Sequence, residues 1–172
     1  MEFERWLGAM FGRDDLEARR VLQDQSALRF LIAWSFFEAK CFGGFVTIDG
    51  LRVFSSRITS EGFATEQIAE QLTRFHARYQ SAELYRQLMH KQKFARMERL
   101  LQAVPSALEP ADRAFFVALV AYRFRNNMFH GNKGVQSWLR YRPQIDLCTR
   151  ALQAFVSHAE SLRPTMSTLG VA

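Results

Sequence analysis

The stretch Pro110-Ala111-Asp112-Arg113-Ala114-Phe115-Phe116-Val117-Ala118-Leu119-Val120-Ala121-Tyr122-Arg123-Phe124-Arg125-Asn126-Asn127-Met128-Phe129-His130-Gly131 decides the fold class. Ala114, Phe115, Val117, Ala118, Leu119 and Tyr122 follow helical spacing. Pro110 stands near a first helical position, where the N–H it lacks would have no partner in any case. Gly131 is placed to end the helix after about Phe129, in the left-handed conformation that glycine adopts cheaply. The polar end of this helix, Arg125 to His130, gathers an arginine, two amides and an imidazole.

The same periodicity recurs on both sides. Asp14 and Asp15 can cap a helix with apolar or small positions at Leu16, Val21, Leu22, Leu28, Leu31, Ile32, Ser35 and Phe36, a long spine that stops at Gly43-Gly44. Residues 44–60 leave two readings open. Val46-Thr47-Ile48 and Leu51-Arg52-Val53-Phe54 around Asp49-Gly50 fit a small hairpin, or an ordered loop followed by a helical turn. From the capping residue Thr65, the positions Ile68, Leu72, Phe75 and Tyr79 mark a helix to about Gln80. Leu84, Leu88, Phe94, Met97, Leu100 and Leu101 carry another to the break at Val104-Pro105. Pro143 opens a last helix through Ile145, Leu147, Leu152, Phe155 and Val156, before a tail containing Pro164 that is expected to fray. With no repeat, low-complexity tract or linker, residues 1–172 read as one all-α domain. Its expected architecture is a single antiparallel bundle of about five helices.

Composition narrows the function classes. An apolar fraction of 48% with 23% charged residues is ordinary for a folded chain, whereas 16 Phe point to an aromatic core or a buried interface. Cys41 and Cys148 form no CxxC pair and are too few for a structural zinc site, which fits a reducing cytoplasm. Met1 to Arg5 is acidic where a signal peptide is basic, and no run reaches the ~18 apolar residues of a membrane span. No membrane association is expected. The net charge is +6, with 19 arginines against lysines only at 40, 91, 93 and 133. Guanidinium binds phosphate through paired donors and stacks on bases, so an arginine-dominated basic domain suits nucleic acid. Walker-type Gly loops, GxSxG, HExxH and acidic metal clusters are absent from the sequence, and neither a metal nor a cofactor is expected.

The end of the 110–129 helix suits one chemistry in particular. Asn126 and His130 are four residues apart and share a helix face, while Arg125 lies about 140° from His130 and reaches it only through its long side chain. RNA cleavage by the ribose 2′-OH needs a group titrating near neutrality and a fixed cation for the phosphoryl oxygens. His130 supplies the first and Arg125 the second, with Asn126 orienting the imidazole or donating to phosphate. Read without that context, His130 is a helix-end residue interacting with the dipole. Arg123, and Lys133 and Arg140 with Arg142 and Arg150 beyond, are either an RNA path or solvated surface. The cluster His90, Lys91, Lys93, Arg96 and Arg99 reads mainly as a solvated helix face, and His76, His90 and His158 as ordinary surface or packing residues.

The stretch Arg125-Asn126-Asn127-Met128-Phe129-His130-Gly131 resembles the Arg-x4-x6-His signature of the HEPN superfamily. That resemblance implies an all-helical domain of about four or five helices and homodimerisation that brings two signatures into one cleft. It also implies metal-independent endoribonuclease activity in toxin–antitoxin, abortive-infection or other antiphage systems, with an antitoxin or defence-system protein as a further partner. By position, Arg125 and His130 match the catalytic pair and Asn126 the polar second residue. Asn127 is a supporting position, and Glu38 matches an acidic residue on an early helix that pairs with the arginine. A Tyr two residues after the His marks one toxin subgroup; Asn132 stands there instead, which argues against silencing by modification at that site. The superfamily also contains catalytically silent members that bind RNA, nucleotide or protein, and these define the alternative reading.

Overall fold

The computed structural model describes residues 3–12, 15–90, 92–129 and 137–163, and among these there is no strand. Nine α-helices, rather than five, make up the described fold. They are α1 (Phe3–Phe11), α2 (Asp15–Gln23), α3 (Ser26–Phe37), α4 (Ile48–Ser60), α5 (Ala69–Tyr79), α6 (Ala82–Met89), α7 (Ala95–Gln102), α8 (Pro110–Phe129) and α9 (Trp138–Ser161).

Local chemistry explains the extra breaks. The expected spine is interrupted at Asp24, whose carboxylate accepts the Ser26 N–H at 2.8 Å and the Ser26 hydroxyl, so that α2 ends and α3 starts afresh. A π-helical turn, Glu38–Phe42, follows α3, and Gly43 at φ 66° closes it with its N–H on the Glu38 carbonyl. Residues 44–60 form no hairpin. Thr47 caps α4 by accepting the Gly50 N–H at 3.0 Å, and Leu51, Phe54, Ser55 and Ile58 are its buried side. Asp49-Gly50 therefore lies in a first helical turn, where a Cβ on Gly50 would approach Thr47 Oγ1 to 3.1 Å. The chain from Leu84 to Leu101 is likewise two helices, split where His90 adopts φ 52°. Thr65 does not cap the next element; it is buried at the start of a 3-10 turn, Thr65–Ile68, that leads into α5. Pro143 does not open the last helix, which begins at Trp138. The ladder bond Pro143 deletes would have ended on Leu139, near the helix start, where little regular structure is lost.

α8 is the central element. Every residue from Ala114 to Ala121 is at most 1% exposed, and a helix apolar on all sides must be surrounded. α4, α5, α6, α7 and α9 pack around it. His76, a packing histidine, lies against Phe116, and its ring nitrogens approach the Leu100 carbonyl and the Gln80 side chain, each at 3.3 Å. Phe94 and Arg96 cover Phe115.

The second organising contact is between α3 and α9. Asp24 meets Arg142, Phe37 meets Phe155, and Lys40 meets Glu160, a near-constant offset that makes the two helices parallel. α9 returns alongside α8 after a short connection, with Phe124 against Tyr141, so these two are antiparallel. The bundle is thus of mixed direction. Phe37 is its aromatic hub, with edge-on contacts to Phe54 at 5.2 Å and Phe42 at 5.0 Å and further contacts to Trp34 and Phe155.

Both cysteines are free and buried. Burial pushes the Cys41 thiol up to about 12 and holds Cys148 well above its ordinary value of 9.0. Their contribution is intact below pH 9 and is lost as pH rises from there toward 12, because the unfolded chain releases these protons first. Each thiol costs on the order of 1 kcal/mol per pH unit across that interval. Urea titrations should show a midpoint that holds to about pH 9 and falls at pH 10, less steeply for Cys148→Ala.

Candidate functional site

The last turns of α8 divide their polar residues between two sides. Arg123 and Asn127, four apart, face α6, while Arg125 and Asn126 flank the side that carries Tyr122 toward Trp34 of α3. The division follows from the 100° step of the helix.

Arg123 and Asn127 are structural. Both are buried, 7% and 2% exposed, and both donate to one acceptor, the Leu88 carbonyl: Arg123 Nε at 3.2 Å and Asn127 Nδ2 at 3.0 Å. Leu88 lies in the last turn of α6, where carbonyls have no following amide because His90 turns left-handed and the Gln92 N–H goes to Met89. Two side chains of α8 thus complete the end of α6. Arg123 also donates to Gln92 Oε1 at 3.3 Å, and burial lowers its pKa. Its expected place on an RNA path does not fit this position: its guanidinium is committed inside the fold.

Arg125 and Asn126 are half-buried, and Arg125 Nη1 donates to Asn126 Oδ1 at 3.3 Å. Asn126 thus holds the arginine through its amide oxygen. His130, Gly131, Asn132 and Lys133 lie outside the described residues, as do Lys91 and Pro164.

Glu38 does not pair with Arg125. Trp34 and Tyr122 meet at 6.2 Å, but neither an ion pair nor a hydrogen bond joins the described side chains of Glu38 and Arg125. Glu38 belongs to the end of α9 marked by Phe155 and Glu160, whereas Arg125 belongs to the end marked by Tyr141. Those ends are about 21 Å apart along the helix.

Of the outer basic residues, Arg140 is exposed on the first turn of α9. Arg142 pairs with Asp24 at 3.3 Å and Arg150 with Glu70 at 3.0 Å. Arg96 pairs with Asp112 at 2.8 Å. His158 packs edge-on against Phe63. Sequence reasoning missed the setting of Arg142 and Arg150, a groove of about 790 Å³ between the α2–α3 junction and α9, to which Arg20 and Arg29 also contribute. Only the parallel pairing of α3 with α9, which periodicity does not encode, brings these four arginines together.

No group of three or more His, Cys, Asp or Glu among the described residues is arranged to hold a metal ion, and no described helix is long and apolar enough to cross a membrane. Compared with known proteins, the chain matches no family model, no curated protein and no solved structure.

Removing the amide of Asn127 leaves the Leu88 carbonyl with one donor fewer in a dry setting. Asn127→Ala should therefore lower stability by about 1–3 kcal/mol, while exposed Arg140→Ala stays within ~0.5 kcal/mol. Thermal melts of the two variants beside wild type measure the difference.

Proposed function

We propose that this protein is a HEPN-type, metal-independent endoribonuclease. The observation that carries the reading is that the half-buried pair Arg125–Asn126 sits at the polar end of a helix locked on all sides, immediately ahead of His130. A guanidinium held by its neighbour at the end of a rigid element is prepared to meet charge that develops on phosphate.

In this reading the ribose 2′-OH loses its proton to an imidazole and attacks phosphorus. The bond to the 5′-oxygen breaks, and that oxygen takes a proton, which leaves a 2′,3′-cyclic phosphate and a free 5′-hydroxyl. His130 moves the protons and Arg125 offsets the phosphoryl charge. A second copy supplies a second imidazole, so that one acts as base and the other as acid. The surface of α3 offers a place for that copy: Leu28, Ile32 and Phe36, at successive four-residue steps, are 55%, 50% and 51% exposed beside an apolar trough of about 580 Å³. The setting is cytoplasmic growth control or phage defence, with an antitoxin or defence-system protein as regulator.

RNA cleavage in excess chelator should fall by about 10²-fold or more in His130→Ala and in Arg125→Ala. An absolute need for a divalent ion, or full activity in His130→Ala, overturns the proposal. Retention of RNA without product at stoichiometric protein would favour the catalytically silent alternative. Light scattering should give a dimer mass for wild type and a monomer mass for Phe36→Glu; a monomeric wild type removes the two-copy site.

A further inference from the structure

We infer that the groove between the α2–α3 junction and the first turns of α9 binds single-stranded RNA, holding nucleotides that flank the one reacting at Arg125. This rests on the ribonuclease reading above and assigns it a substrate-binding surface outside the reacting centre.

Four guanidiniums from three helices line the groove: Arg20 of α2, Arg29 of α3, and Arg142 and Arg150 of α9. Its two carboxylates, Asp24 and Asp146, leave a net charge of +2. The arginines are not equivalent. Asp24 is occupied, since it restarts α3 through Ser26 and pairs with Arg142, and Arg150 is paired with Glu70. Arg20 and Arg29 are exposed and make no side-chain hydrogen bond or ion pair with any described residue. Two unneutralised guanidiniums on one groove wall suit an extended chain of phosphates.

The backbone adds to this field. Because α3 and α9 are parallel, both present their N-terminal ends here, with Ser26 and Leu139, first and second residues of their helices, in the lining. Each of these two ends carries partial positive charge, partly offset by the C-terminal end of α2 at Gln23 and by Asp24, which takes the Ser26 N–H. The side chains of Gln23, Gln25 and Gln153 also line the groove and supply neutral donors.

Position links the groove to the proposed reacting centre. Leu139 and Arg142 in its wall bracket Tyr141, which packs on Phe124 next to Arg125. The groove and the contact with the end of α8 therefore share the first turns of α9. A strand reacting at Arg125 has a short path across these turns, and its flanking phosphates then meet Arg29 and Arg20. Free nucleotide offers the same phosphate chemistry but too few charges to use the length of the groove.

Fluorescence anisotropy with a labelled 2′-O-methyl oligouridylate, which binds without being cut, tests this. The Arg20→Ala/Arg29→Ala double variant should bind about tenfold or more weakly, with a salt slope shallower by about 1–2. Both side chains are exposed and without a partner among the described residues, so its melting should match wild type. Asp146→Asn should tighten binding, a gain that misfolding cannot produce. Uridine monophosphate should compete only weakly; competition as effective as the oligonucleotide's would assign the groove to free nucleotide and overturn the RNA assignment. Displacement by polyglutamate as effective as by RNA would assign it to an acidic protein segment, with the same consequence. Unchanged affinity in the double variant, or no gain in Asp146→Asn, overturns the groove while leaving cleavage dependent on Arg125 and His130. Loss of RNA binding and cleavage in wild type itself overturns both readings.

Discussion

The fold depends on the complete enclosure of α8. A run of eight residues without a solvent-facing side can exist only if other helices cover it all round, and α4, α5, α6, α7 and α9 do so. The shell helices are short, and most are held by what they bury against the axis rather than by their own propensity. The axis meets polar chemistry only outside its apolar run, at Asp112 and Arg113 on one side and from Tyr122 onward on the other. The side chains there inherit the rigidity of the core, which suits a site whose donors must be fixed before substrate arrives.

Near that end, four polar residues, Arg123, Arg125, Asn126 and Asn127, have two separate purposes. Arg123 and Asn127 look inward and take up the Leu88 carbonyl that α6 cannot satisfy for itself. Arg125 and Asn126 look outward and hold each other. The first pair fixes α6 to the axis, and the second stands on the side of α8 that Tyr122 turns toward α3. Buried polar groups must be paired, and here the pairing of one helix's end is supplied by another helix's side chains.

The parallel alignment of α3 with α9 is the second determinant. It gathers Phe37, Phe54 and Phe155 at one end of the molecule and two helix N-termini with four arginines at the other. It also places Glu38 with the end of α9 that carries Phe155 and Glu160, so an acidic residue on an early helix is not by itself a partner for the arginine. Arg20 and Arg29 have no ion-pair partner among the described residues, because the nearby carboxylate, Asp24, serves Ser26 and Arg142.

The amino-acid sequence by itself determined the all-α class, since the three- and four-residue recurrence of apolar side chains fits nothing else. It set arginine, amide and imidazole within the six residues from Arg125 to His130. It also read residues 65–80, from Ile68 to Tyr79, as amphipathic, because each of those signals is local. The helix breaks at Asp24, at the left-handed His90 and at the Thr47 cap are local too, but periodicity does not show them because the apolar pattern runs on across them. Other features only the tertiary structure decided. It alone made Arg123 and Asn127 internal donors and separated Glu38 from Arg125. It also assembled the arginine groove from residues as distant in sequence as Arg20 and Arg150. The physical reason is common to all of these. Periodicity shows that a helix has an apolar face, but which helix covers that face, and in which direction it runs, is set by packing among elements far apart in the chain.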